Sequence, residues 1–389
     1  METSPWRPFW LLDPEVVYLN HGSFGACPQP VLAVQQQLCQ ALERQPMAFL
    51  GRDYELRLDA ARQQLATFLG GRSQNLVFVP NATTGVNTVL RSLNFRPGDQ
   101  LLTTDHCYNA CRNALNFVAD RAGAEISVAT IPFPLQSPAQ ILTAVQEQIT
   151  PRTRLALFDH VTSQTGLIFP LQELIQSLTA QGIDTLIDGA HAAGMIPLNL
   201  EELGATYYAG NCHKWMCSPK GAGFLYVQPD KQATLRPLTI SHGANSSRQD
   251  RSRFWLEFDW TGTDDPTAYL SVPAAIAWFE QLLPGGWSEL MQRNRDLVLS
   301  ARRSLCAVLN IPLPCPDQMI GTIASLPLPP GDSESLQAEL LHQFQIEVPV
   351  FPWPTPPHRL IRISAQIYNH FQDYERLGLA LPKLLSQPD

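Results

Sequence analysis

Short apolar runs alternate with longer helical patterns through the first two thirds of this chain. The apolar run at 76–79 precedes a helical pattern at 86–93, and the run at 155–158 precedes another at 171–181. Strands that alternate with helices predict a mostly parallel sheet covered by helices on its faces. We therefore expect an α/β fold, and an apolar segment at 223–227 predicts one further strand late in this region.

The pattern changes in the last third of the chain, where a long helical pattern over 274–310 is broken by Pro284-Gly285-Gly286. A chain of 389 residues is long enough for two domains. We expect a large domain over residues 15–270 and a smaller domain that combines 1–14 with 271–389. A proline-rich segment at 348–357 has strand-like sequence on both sides, which favours a rigid loop over the site rather than an exposed proline-rich ligand.

Composition excludes several functional classes. The net charge of −8 leaves no basic surface for nucleic acid, so we expect no nucleic-acid partner. No apolar run reaches the roughly 18 residues of a membrane span, so no membrane partner is expected. The first 20 residues are interrupted by prolines and acidic residues, unlike the apolar core of a signal peptide. The expected location is the cytoplasm.

The eight cysteines do not form a metal-binding pattern. Cys107 and Cys111 are one helical turn apart, and Cys212 and Cys217 flank a lysine, but there is no CxxC pair. Scattered thiols in a cytosolic protein are usually reduced and buried. We expect no metal site.

A carboxylate and a lysine stand where pyridoxal phosphate chemistry needs them. Asp188 ends the apolar run 185–187, and Lys214 lies in the segment Asn211-Cys212-His213-Lys214-Trp215. An enzyme of this kind needs a lysine that forms a Schiff base with the cofactor aldehyde and a carboxylate that keeps the pyridine nitrogen protonated. Such a pair also occurs by chance, so its weight comes from the surrounding sequence.

A second segment suits the phosphate of this cofactor. An apolar strand, the residues Asn81-Ala82-Thr83-Thr84-Gly85 and a helix follow one another. Free N–H groups at a helix start, with hydroxyls beside them, favour an anion. Taken alone, the segment is better explained as an ordinary helix cap. Asn211 and His213 are candidates for further phosphate donors.

With these residues the chain resembles the class V aminotransferases, which are pyridoxal phosphate enzymes of fold type I. Within that family it is most similar to the isopenicillin N epimerase-like branch, which is related to cysteine desulfurases and cyst(e)ine C–S lyases. The resemblance covers residues 18–368, and its further motifs are Leu19-Asn20-His21-Gly22-Ser23-Phe24-Gly25-Ala26, Asp159-His160-Val161-Thr162-Ser163, Asp188-Gly189-Ala190-His191, Ser218-Pro219-Lys220-Gly221, Gly262-Thr263-Asp264-Asp265-Pro266 and Arg362-Ile363-Ser364-Ala365-Gln366-Ile367-Tyr368-Asn369. It implies a large domain with a mostly parallel seven-stranded sheet between helices and a smaller α+β C-terminal domain.

The resemblance also implies roles for single residues. Lys214 would hold the cofactor and move protons at the substrate α-carbon, and Asp188 would pair with the pyridine nitrogen. His191 would lie near the ring hydroxyl, and Tyr108 would stack on the ring. These three catalytic residues, Lys214, Asp188 and His191, also belong to the expected cofactor-binding set, whose remaining members are Thr83, Thr84, Tyr108, Ser163, Asn211, His213 and Thr263.

Two further implications concern the substrate and a partner. Arg362 matches an arginine that binds the substrate α-carboxylate through two parallel hydrogen bonds, and Asn20 and His21 are expected beside the substrate. In relatives the turn that corresponds to Gly262-Thr263 reaches the phosphate of the neighbouring subunit. The resemblance therefore implies a homodimer with shared active sites that acts on a small amino acid or an amino-acid-derived substrate.

The chain departs from cysteine desulfurases, which carry a nucleophilic cysteine on a mobile loop ahead of the arginine. Residues 347–359 contain no cysteine, and Cys315 is too far upstream. We therefore expect no sulfur transfer through an enzyme cysteine.

Three reactions stay open: epimerisation, β-elimination from cysteine or cystine, and transamination. The choice depends on the group opposite Lys214, for which His21, Tyr108 and Tyr207 are candidates. A pyridoxal phosphate-binding protein without catalysis is the remaining alternative, which the intact lysine, aspartate and arginine disfavour.

Overall fold

The computed structural model describes residues 4–386. Its strands are β1 (Val17–Tyr18), β2 (Leu76–Val79), β3 (Gln100–Thr104), β4 (Glu125–Ala129), β5 (Thr153–Asp159), β6 (Asp184–Gly189), β7 (Tyr207–Asn211), β8 (Gly223–Val227), β9 (Ile323–Leu328), β10 (Ile346–Glu347), β11 (Val350–Pro352) and β12 (Arg359–Ser364). Its α-helices are α1 (His21–Phe24), α2 (Gln29–Arg44), α3 (Pro46–Ala48), α4 (Tyr54–Phe68), α5 (Ala82–Ser92), α6 (Asn109–Ala122), α7 (Ala139–Gln146), α8 (Leu171–Thr179), α9 (Leu200–Leu203), α10 (Arg253–Phe258), α11 (Thr267–Leu270), α12 (Val272–Leu282), α13 (Gly286–Leu309), α14 (Ser333–Phe344) and α15 (Phe371–Leu385). No helix within the described residues is long and apolar enough to cross a membrane.

The central sheet has seven strands in the order β2-β8-β7-β6-β5-β3-β4. Strand β8 runs antiparallel to both of its neighbours, and the pairs from β7 to β4 are all parallel. The expected α/β fold with a mostly parallel seven-stranded sheet is confirmed.

Both faces of this sheet are covered. Successive strand residues point to opposite faces, so Leu157 and Leu186 pack into one core while Phe158 and Ile187 pack into the other. Helices α5 and α6 contribute to the first core, and α4, α8 and α12 contribute to the second. This burial on both faces explains why the strands read as continuous apolar runs.

The carboxyl ends of three neighbouring parallel strands carry polar residues. Asp159 ends β5, Asn211 ends β7, and Asp188 lies one residue before the end of β6. Asp159 and Asp188 are direct partners in the β5–β6 register. Gly189 permits this arrangement, because a Cβ atom there would lie 2.1 Å from the Tyr208 ring. Polar groups therefore gather at the edge of the sheet where ligands bind in open α/β folds.

The C-terminal part contains a three-stranded antiparallel sheet, β11-β12-β9, together with helices that include α13 and α15. Strand β1 pairs with β10, and Ser4 Oγ donates a hydrogen bond to the Ile367 carbonyl. The Ser4 contact supports the division that we propose, in which residues 1–14 join 271–389 as the smaller domain beside a large domain of 15–270. The β1–β10 pairing connects the two proposed domains, because Val17 and Tyr18 lie in the larger one.

The proline-rich segment forms the end of a hairpin between β11 and β12. The Trp353 ring lies 4.6 Å from the His106 ring, edge to face. The Phe351 ring lies 5.8 Å from the guanidinium carbon of Arg362. The segment therefore packs against the protein beside Arg362.

Candidate active site

The Lys214 side chain contacts the ring of His191. Lys214 Nζ is 3.2 Å from His191 Nε2, while His191 Nδ1 accepts the Trp215 indole N–H at 3.2 Å. Burial lowers the pKa of His191 well below 6.5, so the ring is neutral. Because an indole N–H only donates, the ring proton lies on Nε2 and points to the lysine. The lysine amine accepts this hydrogen bond in its neutral form.

The electrostatic surroundings also favour a neutral amine. Loss of solvation lowers the pKa of Lys214 to about 8, although the nearby Asp188 carboxylate acts in the opposite direction and Arg362 lowers it further. A neutral amine is a nucleophile and a proton acceptor. Lys214 can therefore serve as a base in mildly alkaline solution.

Two hydrogen bonds hold the Asp188 carboxylate. Its Oδ1 accepts the Ala190 N–H at 2.9 Å, and its Oδ2 accepts the Cys111 thiol at 3.0 Å. The neighbouring Asp159 is 3% exposed. Burial and the charge of Asp188 raise the pKa of Asp159 well above its usual value. This direction favours a neutral Asp159 carboxyl.

The start of α5 provides a site for an anion. Asn81 caps the helix by accepting the Thr84 N–H at 2.8 Å, and the Asn211 side chain accepts the Ala82 N–H at 2.8 Å. The Thr83 N–H has no acceptor within residues 4–386. An open N–H at a helix start favours a phosphate. Asn211 thus holds the helix start through its side-chain oxygen.

His213 differs from the expected phosphate donor in its present hydrogen bonding. Its Nδ1 donates to the Ala222 carbonyl at 2.9 Å. Burial lowers the pKa of His213 to about 4, so the ring is neutral and Nε2 carries a lone pair. Donation to a phosphate would need a second ring proton, and the assigned role stays a prediction.

Arg362 is a buried arginine that has no carboxylate partner among the described residues. It is 5% exposed, and no carboxylate of residues 4–386 lies within 4 Å of its guanidinium nitrogens. Nη1 donates to the carbonyl and the hydroxyl of Ser163, and Nη2 donates to Ser23 Oγ at 3.1 Å. Burial lowers the pKa of Arg362 to about 10. A buried charge that is met only by neutral acceptors favours binding of an anion.

Asn20 and Ser163 belong to the surroundings of Arg362. Ser23 Oγ donates to Asn20 Oδ1 at 2.5 Å, and Asn20 Nδ2 donates to Glu347 Oε1 at 3.1 Å. Ser163 contacts the arginine directly. The structure therefore brings both residues to the arginine, while their assigned roles in binding stay predictions.

His21 supports the backbone of Lys214. Its Nε2 donates to the Lys214 carbonyl at 3.0 Å, and its Nδ1 accepts the Tyr368 hydroxyl at 2.8 Å. Burial lowers the pKa of His21 to about 3, so the ring is neutral. Both ring nitrogens have protein partners, and the proposed contact with substrate stays a prediction.

The other expected residues lie at different distances from this centre. Tyr108 precedes α6, is 41% exposed and donates its N–H to Asp159 at 3.4 Å. Tyr207 begins β7, at the opposite end of the strand from Asn211, and the structure does not bring it to Lys214. Thr263 is exposed in the loop after Trp260, and its assigned contact with the phosphate of a second subunit stays a prediction.

Asp159 and Cys111 were not assigned a role from the sequence. The signal for Asp159 was present, because it ends an apolar strand in the same way as Asp188. Cys111 had only its spacing from Cys107. All eight cysteines are free, and residues 4–386 contain no group of three metal-binding side chains.

Pyridoxal phosphate fits this set of groups. The Asp188 carboxylate suits a pyridinium nitrogen, the amine of Lys214 suits an aldehyde, and the start of α5 suits a phosphate. Arg362 remains available for a substrate carboxylate. The carboxylate, the amine, the helix start and the arginine therefore each suit one part of the cofactor or substrate.

Comparison with known proteins agrees with this chemistry. The family model for aminotransferase class V matches residues 17–377. Isopenicillin N epimerase of Streptomyces clavuligerus is 35% identical over 403 aligned positions, which cover 100% of both chains. A probable chloroplastic L-cysteine desulfhydrase of Arabidopsis thaliana is 28% identical over 96% of this chain and 84% of its own.

A solved structure shows the same fold. The apo cysteine desulfurase of Thermococcus onnurineus NA1 has a TM-score of 0.83 at 20% identity, covering 99% of this chain and 98% of its own. The chain belongs to the class V aminotransferase family. The expectations of this family, of fold type I and of a pyridoxal phosphate enzyme are confirmed.

Lys214 should be the residue that joins the cofactor. The rate at which apoprotein acquires a visible band with pyridoxal phosphate should rise with pH through about 8, because the neutral amine reacts and the pKa of Lys214 is near that value. A lysine with an ordinary pKa near 10.4 would place the midpoint about two units higher. Stopped-flow absorbance from pH 6.5 to 10 measures it.

Borohydride reduction followed by peptide mass spectrometry identifies the attached residue. Lys214→Ala should give no stable adduct, whereas Lys220→Ala, which alters a nearby lysine, should keep it. An unchanged adduct in the Lys214→Ala protein would contradict the assignment.

Proposed function

We propose that this protein removes and returns a proton at the α-carbon of an amino-acid substrate, as an epimerase does. The observation that carries this proposal is the buried Arg362, which no carboxylate of residues 4–386 contacts, in the same site as the lysine with a lowered pKa. An arginine in this state can hold the α-carboxylate, while Lys214 acts at the adjacent carbon. The 35% identity to an isopenicillin N epimerase over the whole chain supports epimerisation as the outcome.

Lys214 and His191 would handle the first proton. When bound, pyridoxal phosphate withdraws electrons from the α-carbon and stabilises the negative charge left by the departing proton. The amine of Lys214 would take that proton on its own side of the substrate. His191 would orient the amine through its Nε2–H, at the 3.2 Å separation described above.

Epimerisation needs a second group that gives a proton on the opposite face, and we assign this task to Tyr108. The strand order β7-β6-β5-β3 puts Lys214, which follows β7, and Tyr108, which follows β3, on opposite sides of the two aspartates. Burial raises the pKa of Tyr108, so its hydroxyl keeps its proton. The hydroxyl has no hydrogen-bond partner within residues 4–386, and the residue is 41% exposed.

The other two candidates are less suitable for this task. The ring nitrogens of His21 are both engaged, one of them with the Lys214 backbone itself. Tyr207 is at the opposite end of β7. Tyr108 is thus the candidate with both a free acidic group and access to substrate.

A C–S lyase that acts on cysteine or cystine is the second candidate, favoured by the similarity to a probable L-cysteine desulfhydrase. It would use the same base and the same arginine, and it would lose a sulfur substituent from Cβ instead of inverting Cα. Sulfur transfer through an enzyme thiol has little support, because seven of the eight cysteines are buried and only Cys39 is partly exposed. Transamination and a non-catalytic role remain the further alternatives.

The proposed assembly is a homodimer with shared sites in the cytoplasm. Leu238 is 43% exposed and Ile240 is 60% exposed. A cavity of about 140 Å³ joins Leu238 and Gly262 to Thr84 of the phosphate site. An exposed apolar surface beside the phosphate site is suited to a second copy that brings its Thr263 there. The free thiols are consistent with a reducing compartment.

The reaction is tested by incubating the holoenzyme in deuterated water with L-cysteine and, separately, with a peptide that carries a free L-α-amino acid group. Epimerisation should place deuterium at Cα and produce the D-epimer with the carbon skeleton intact. Pyruvate, ammonia and sulfide from cysteine would instead establish the C–S lyase. An amino group left on the cofactor with release of a keto acid would indicate transamination.

Replacing Tyr108 with phenylalanine should separate exchange from inversion. The variant keeps the aromatic ring and the Lys214 base, so the α-hydrogen of the L-substrate should still exchange with solvent deuterium. Formation of the D-epimer should fall by about a hundredfold, the usual effect of losing a general acid. Proton NMR and chiral chromatography measure the two quantities together.

Tyr207→Phe is the matched control for that experiment. It removes a phenol that lies away from the site, and both rates should stay near those of the wild type. Equal inversion rates in the Tyr108→Phe and wild-type proteins would remove Tyr108 from the proposal.

Shared sites should be detectable by mixing two inactive proteins. A hybrid of a Lys214→Ala chain and a Thr263→Ala chain has one site that contains both wild-type residues, so random mixing should recover about one quarter of wild-type activity at limiting cofactor. Co-purification with two affinity tags verifies the hybrid. A Thr261→Ala chain in place of Thr263→Ala controls for changes elsewhere in the loop, and a verified hybrid without recovery contradicts shared sites.

A further inference from the structure

The thiol of Cys111 makes a direct contact with the catalytic carboxylate. Cys111 lies on α6 with 0% exposure, and its Sγ is 3.0 Å from Asp188 Oδ2. The other oxygen, Oδ1, accepts the Ala190 N–H. An ionised carboxylate only accepts hydrogen bonds, so the thiol is the donor.

The chemical state of the thiol suits this contact. Burial raises the pKa of Cys111 well above 9, and the Asp188 carboxylate raises it further. The sulfur therefore keeps its proton and cannot act as a nucleophile. Hydrogen bonds to an ionised acceptor are stronger than neutral ones and constrain the direction of the acceptor.

We propose that Cys111 is a positioning residue whose thiol fixes the Asp188 carboxylate in the orientation that receives the pyridine nitrogen of the cofactor. The Ala190 N–H restrains one oxygen of the carboxylate, and the thiol restrains the other. Together they prevent rotation of the carboxylate before the cofactor binds. This role depends on the proposed partnership between Asp188 and the pyridine nitrogen.

Asp159 gives this restraint a specific purpose. It is the register partner of Asp188 on the neighbouring strand, and its raised pKa favours a protonated carboxyl. A protonated carboxyl is a competing donor for the Asp188 oxygens. By occupying Oδ2, the Cys111 thiol favours an Asp188 orientation that is independent of Asp159.

Cys107 shows that packing alone does not account for the contact. It lies four residues before Cys111, ahead of the start of α6, is 8% exposed and contributes to the same apolar core. Its Sγ contacts the Tyr108 carbonyl at 3.7 Å rather than the aspartate. Cys107→Ala is therefore a matched control, because it also removes one buried thiol but leaves the contact with Asp188 intact.

Cofactor affinity tests the proposal. Equilibrium dialysis of pyridoxal phosphate should show a dissociation constant about tenfold higher for Cys111→Ala than for the wild type, consistent with the loss of one hydrogen bond to a charged group. Cys111→Ser keeps a donor and should stay within about twofold of the wild type, as should Cys107→Ala. Cys111→Val fills the space without a donor and serves as a second removal if the alanine variant is unstable.

The Asp188→Asn background separates positioning from packing. Cys111→Ala should have no further effect on cofactor affinity there, because the charged acceptor is already gone, and the double-mutant cycle gives the coupling directly. Equal weakening in both backgrounds, or unchanged affinity with only a lower melting temperature, would overturn the proposal. A wild-type protein that binds no pyridoxal phosphate would instead refute the proposed function, and these outcomes are distinct.

Discussion

The Asp188 carboxylate influences the pKa values of the groups around it. It opposes the loss of solvation at Lys214, and it adds to the effect of burial on the pKa of Asp159, Cys111 and Tyr108. Burial is the largest cause at all three acids, and the Asp188 carboxylate adds to it, while the lysine beside the carboxylate can lose its proton. In a site of low polarity these effects are larger than they would be in water. The remaining geometry serves to hold that carboxylate and the lysine in fixed places.

Close backbone contacts provide this fixed geometry. A Cβ atom at Gly25 would lie 2.1 Å from the His213 carbonyl oxygen, so the N-terminal motif packs directly on the chain that carries Lys214. Gly25 has φ +69°, a conformation that glycine adopts without strain. His21, four residues earlier, holds the Lys214 carbonyl. The N-terminal segment therefore fixes the backbone of Lys214, although the two are far apart in sequence.

The sequence predicted the sheet better than the hydrogen bonds within the site. The strands at 76–79 and 223–227 have the expected bounds, because buried strands give continuous apolar runs. Helix α5 begins at Ala82, four residues before the expected start. The Asn81 side chain caps the helix there, so the polar residues before Val86 are also helical. The contacts of His21 and Cys111 could not be predicted, since each joins residues from distant strands or loops. A pattern in one segment carries no information about which side chain it meets in another.

The segment before Arg362 explains how a fold shared with a cysteine desulfurase can support different chemistry. Residues 347–359 contain no cysteine and include β11 and the end of the β11–β12 hairpin. Phe351 packs beside the arginine, and Trp353 packs on His106, so aromatic contacts hold the segment against the protein. Without a thiol at this position, a substrate that Arg362 held as we propose would face Lys214 as its base and no cysteine of this segment. The site is therefore suited to reactions that begin with proton removal at the α-carbon, and in the proposed epimerisation Tyr108 would return the proton on the opposite face.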